Sequence, residues 1–175
     1  MAKIMTEEHG KYGIDCTNAI WSSEDIHRLY HAGGISFLCD ADFVLETEQH
    51  ILLIEYKNAN TREALLHVET EKQYNPFEEK KFWTLIRKFY DSIPYLYLKG
   101  KLLKPIRYIC VLEYPKGDSV SRKMLRNKMK KKLPFSLQDE IGKEISLIYS
   151  VDVMNIQEWN EDTYFGQFPI KAIPE

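Results

Sequence analysis

Apolar residues recur along this chain in short blocks, and their period switches between that of a helix and that of a strand. Ser22-Ser23 followed by Glu24-Asp25 has the form of an N-cap with acidic residues in the first helical turn. The helix it predicts carries Ile26, Leu29 and Tyr30 on one side and stops at Gly33-Gly34. Ile35 to Leu45 is rich in strand formers, Glu46 to His50 is polar, and Ile51 to Lys57 is a second strand, so a β-hairpin is expected. Residues 58–78 show no clear period, and Ala64 to Val68 fits a short helix or a strand equally well. From Glu78 onward Phe82, Leu85, Ile86, Phe89, Tyr90 and Ile93 step at helical spacing, with Pro94 expected to end the run. Ile106 to Leu112 reads as a strand between Pro105 and Pro115, and Val120 to Leu133 as a basic helix stopped before Pro134. Ile145 to Val151 is another apolar strand, and Val153 to Trp159 a short terminal helix. The order helix, hairpin, helix, strand, helix, strand predicts an α/β fold: a mixed sheet flanked by helices on its faces. No repeat, low-complexity tract or linker divides the sequence, so one domain spanning 1–175 is expected.

The chain's 175 residues suffice for a hydrophobic core, and 44% hydrophobic with 29% charged residues is the balance of a soluble globular protein. Met1 to Lys11 carries charges and no apolar stretch, so no secretory signal is expected. The longest aliphatic run, Ile51 to Ile54, is too short to cross a bilayer, so no membrane association is expected. Three widely spaced cysteines (Cys16, Cys39, Cys110) with no CxxC pair support neither a disulfide framework nor a thiolate zinc site. A reduced, cytoplasmic location fits that usage.

Charge changes the picture. The net charge is only −2, yet Lys99 to Lys132 holds 12 Lys/Arg against Glu113 and Asp118. Proteins that bind phosphates gather positive charge locally, because neutralising phosphates releases condensed counterions. On the basic helix Arg122, Arg126 and Lys130 are spaced i, i+4, i+8 with Lys123 and Lys131 beside them, while Met124, Leu125, Met129 and Leu133 can supply a buried side. This face reads either as a phosphate-tracking surface or as a solvated amphipathic helix.

The chemistry is concentrated on the hairpin. Residues two apart on a strand share a face, so Asp40 and Asp42 point one way on the first strand, as do Glu55 and Lys57 on the second. Carboxylates and an ammonium projecting from apolar strands are costly to bury without compensation. A divalent cation compensates the carboxylates, and hard oxygen donors with no thiolate nearby suit Mg²⁺ or Mn²⁺. Such an ion lowers the pKa of its water and polarises a phosphoryl oxygen, and a nearby lysine positions the water and stabilises developing charge. The competing reading makes Asp42, Glu55 and Lys57 an ordinary cross-strand ion cluster.

The pattern Asp40-Ala-Asp42-Phe-Val-Leu, a short gap, then Ile-Leu-Leu-Ile-Glu55-Tyr-Lys57 resembles the PD-(D/E)XK nuclease superfamily. The resemblance covers roughly residues 22–57 and implies a restriction-endonuclease-like αβββαβ core. It implies Asp42 as first metal ligand, Glu55 as second, the backbone carbonyl of Tyr56 completing the shell, and Lys57 as the catalytic lysine. It also implies Glu24, on the preceding helix, as an additional acidic ligand. The sequence departs from the family's pattern in carrying Ala41 where the motif has proline. Mg²⁺- or Mn²⁺-dependent hydrolysis of nucleic acid, DNA preferred, is the expected activity, with a homodimer one way to cut both strands. The alternatives are a catalytically inactive nuclease fold that binds nucleic acid or serves assembly, and an aromatic protein-interaction module. His27 and His31, four apart on a helix, lack a third soft ligand; no glycine-rich phosphate loop or dinucleotide fingerprint occurs.

Overall fold

The computed structural model describes residues 3–61, 73–142 and 144–174. Within them lie eight strands: β1 (Ile4–Thr6), β2 (Tyr12–Asp15), β3 (Trp21–Ser23), β4 (Phe43–Glu46), β5 (Ile51–Asn58), β6 (Ile106–Glu113), β7 (Ile148–Met154) and β8 (Ile170–Ala172). The α-helices are α1 (Ile26–Ala32), α2 (Glu79–Leu98), α3 (Ser119–Lys130), α4 (Phe135–Ile141) and α5 (Ile156–Glu161). Ala64 to Val68 falls outside the described residues.

The fold is α/β, built on a mixed five-stranded sheet in the order β3-β4-β5-β6-β7. β3, β4 and β5 are antiparallel; β6 and β7 run parallel to β5. The alternation of β5 explains why helices cover the sheet. Ile51 and Leu53 join an apolar cluster with Ile26, Phe82, Leu85, Phe89 and Leu125 of α1, α2 and α3. Leu52 and Ile54 point to the opposite face, where Trp159 of α5, Phe165 and residues of a second sheet, β1-β2-β8, complete another cluster. Central strands buried on both faces are continuously apolar, as Ile51 to Ile54 is.

The expected hairpin forms, its turn closed by the Thr47 N–H donating to the His50 carbonyl (2.9 Å) and the His50 N–H donating to the Thr47 hydroxyl oxygen (3.0 Å). Its first strand is shorter than expected: residues 35–42 are not strand. Two of their amides find partners on α2 instead, Cys39 N–H donating to the Asp91 carboxylate (2.9 Å) and Ala41 N–H to Ser92 Oγ (3.2 Å). The strand beside β4 is β3, so Ser22 and Ser23 are not a helix cap. The helix begins only at Ile26, after Asp25. Pro94 does not end α2 either; it sits on the exposed side while Tyr95 and Leu96 beyond it are buried and carry the helix to Leu98. The strand expected at 145–151 and the helix expected at 153–159 each lie about three residues further on. Three strands of three or four residues, β1, β2 and β8, were too short to show a period.

Among the described residues no helix is long and apolar enough to cross a membrane.

Candidate active site

The β4–β5 register pairs Phe43 with Ile54, and continuing it by one residue sets Asp42 opposite Glu55. Asp42 is fixed there by two bonds. Its N–H donates to the Ile54 carbonyl (3.0 Å), and its Oδ2 accepts the Tyr56 N–H (2.8 Å), extending the ladder with a side chain past the strand's end. Glu55 is 5% exposed, far less than a carboxylate on an open sheet.

Glu55 is paired by a residue that alternation along the strands does not reveal. Lys88, on α2, places Nζ 2.6 Å from Glu55 Oε2, and its side chain is 19% exposed. Burial and the neighbouring Asp42 charge push the Glu55 carboxyl well above the usual carboxylate range, against the opposing pull of Lys88. Burial opposes the Lys88 charge, but Glu55 and Asp42 outweigh it and hold the ammonium protonated. One signal for Lys88 existed: it lies three residues after Leu85 and four before fully buried Ser92, so a lysine interrupts the apolar side of α2.

Lys57 stands apart from this pair. It is exposed, with Nζ 5.8 Å from the centroid of the Tyr74 ring. Together with Asp42, Tyr56 and Asn58 it lines a groove whose other lining residues include His9 of the β1–β2 turn and Tyr12 of β2. Asp42 and Lys57 therefore share an opening, while Glu55 is buried against Lys88.

Other expected site residues are placed differently. Glu24 is not on a helix; it lies between β3 and α1, and its Oε2 accepts the Thr6 N–H at 3.0 Å. Asp40 lies before β4, with Oδ1 3.2 Å from His27 Nδ1. Tyr56 presents its backbone to Asp42 through the N–H bond already described, and its ring to Tyr12 on the other face of the sheet. Arg122 leaves the phosphate-binding set. It is buried, and Nε and a terminal nitrogen grip the two Glu158 oxygens at 2.8 and 2.7 Å, clamping α3 to α5. Lys123 and Lys130 are exposed and Arg126 is half-buried. Met124 is exposed rather than buried, unlike Leu125, Met129 and Leu133.

Among the described residues no group of three His, Cys, Asp or Glu side chains is arranged to hold a metal ion. The donors that remain for a divalent ion are the Asp42–Glu55 pair and the backbone beside it, a set of hard oxygens. Comparison with family models, curated proteins and solved structures finds no match for this chain.

Proposed function

We propose that the chain is a Mg²⁺- or Mn²⁺-dependent nuclease acting on DNA in preference to RNA. The observation that carries this reading is the facing of Asp42 and Glu55 at the end of an apolar hairpin, beside a groove that Lys57 also lines. Charge favours a divalent ion. Asp42, Glu55 and Lys88 together carry one negative charge when all are ionised, so a dication leaves the site singly positive and complementary to one phosphodiester.

Asp42 and Glu55 would hold the ion. When bound, such an ion supplies Lewis-acid polarisation of a phosphoryl oxygen and a more acidic water. The protein's part is positional: the bonds from Ile54 and to Tyr56 keep the Asp42 carboxylate in place without further ordering. Lys57, exposed at the groove, would orient the attacking water and stabilise charge developing at phosphorus. The element order departs from αβββαβ in one respect, since the strand beside β4 precedes α1; a restriction-endonuclease-like core with that outer strand recruited from upstream accommodates it.

The test is cleavage of duplex and single-stranded DNA with Mg²⁺ or Mn²⁺, in the parent and in Asp42→Ala and Lys57→Ala. Cleavage that requires the cation and drops at least about 100-fold in each variant is expected; activity unchanged by both substitutions overturns the reading. A second reading draws on Lys88. Because Glu55 is already neutralised by an ammonium, the pair also suits a nuclease-like fold that binds nucleic acid or serves assembly without cutting. Salt-sensitive DNA affinity with no response to divalent cation would favour it.

A further inference from the structure

One of the two carboxylates that the proposed function assigns to the cation, Glu55, is already occupied by Lys88. We propose that Lys88 is a displaceable counter-ion: it holds Glu55 when no cation is present and must withdraw from it when a divalent ion binds. This inference rests on the proposed metal-dependent reading and adds to it a competition between α2 and the ion.

The geometry points this way for two reasons. Lys88 Nζ is 2.6 Å from Glu55 Oε2, at a carboxylate 5% exposed, and two positive centres against one buried carboxylate repel strongly at low dielectric. Lys88 is also able to move. Its ammonium is a point charge on a flexible four-carbon stem, and 19% of the side chain reaches solvent. Cation binding and the Lys88–Glu55 pair are then linked equilibria, so whatever weakens one strengthens the other.

The experiment is Mg²⁺ titration of the full chain followed by NMR, observing the Lys88 side-chain ammonium and the Tyr56 amide. The Tyr56 amide reports on Asp42, to which it donates. Lys101, whose Nζ is also 2.6 Å from a carboxylate, that of Glu46 at the other end of the hairpin, serves as the internal control. Movement of Lys88 and Tyr56 together, with Lys101 still, is the expected result. Movement of Tyr56 while Lys88 keeps its position overturns the displacement and leaves the metal site standing. No response at either group overturns both. Independently, Lys88→Met should tighten Mn²⁺ binding by roughly tenfold, since the competing charge is removed, whereas equal or weaker binding overturns the competition. The parent-chain titration decides the matter if that variant fails to fold.

Discussion

A buried carboxylate is tolerable only with a partner, and at Glu55 that partner comes from α2 rather than from the neighbouring lysine on its own strand. Removing it should therefore be expensive. Lys88→Ala is expected to destabilise the chain by about 3 kcal/mol, because it leaves a nearly inaccessible carboxylate unpaired. Lys57→Ala is expected to change stability by less than about 0.5 kcal/mol, as an exposed side chain does. Urea unfolding of the two variants checks both values, and equal costs would mean that Lys57 shares in holding Glu55. The sequence singled out Asp42, Glu55 and Lys57 as candidates because alternation along strands is local. It did not show Lys88, because nothing in a helix names the strand residue it will face.

Elements behave less locally than residues, and two of them invite measurement. α3 is tied to α5 by Arg122 and Glu158, and Glu158 also closes a capping box on α5 by accepting the Asn155 N–H at 3.1 Å. Burial raises the Glu158 carboxyl, but the bonds from Arg122 and the Asn155 contact outweigh it and leave it below its ordinary 4.5. A lowered folded-state value means the stabilisation is fully present above pH 4.5 and is lost as pH falls through the folded value. The melting temperatures of the parent and Glu158→Gln should thus differ at neutral pH and converge under acid; a constant gap would show that the carboxylate's charge is not what matters. In α2, Pro94 stands inside the helix at an exposed position and denies the backbone one hydrogen bond. Pro94→Ala is expected to stabilise by about 1–3 kcal/mol, measured by denaturant unfolding; a loss of stability would mean that a kink at this point is needed for α2 to reach both Glu55 and Asp25. The helix outran its proline because Tyr95 and Leu96 are buried beyond it and Tyr95 Oη bonds Ser23 Oγ and Asp25, a tertiary gain that local rules do not include.

At the scale of the whole molecule, the concentration of lysine and arginine between residues 99 and 132 has several fates. Arg122 is consumed by Glu158, Lys101 and Lys104 by Glu46, and Arg107 sits over the rings of Tyr164 and Phe165 with Asp152 beside it. Lys123, Lys128 and Lys130 remain exposed on α3. If DNA is tracked by this helix, reversing Lys123 and Lys130 to Glu should weaken DNA binding and flatten its salt dependence, whereas Arg122→Gln should act through stability instead; unchanged affinity after the double reversal would remove α3 from the interface. What the sequence by itself determined was the set of periodic elements: the hairpin, the long helix, the apolar strands and hence an α/β mixed sheet. Those follow from covalent geometry, since a period of two or of 3.6 residues is imposed by the backbone within a few neighbours. Only the tertiary structure decided that β3 borders β4, that Cys39 and Ala41 bond to α2, that Arg122 is interior, and that Lys88 closes over Glu55. Each of these depends on which distant surface comes to lie alongside, and a buried charge or an unpaired amide takes whichever partner the packed chain brings within reach.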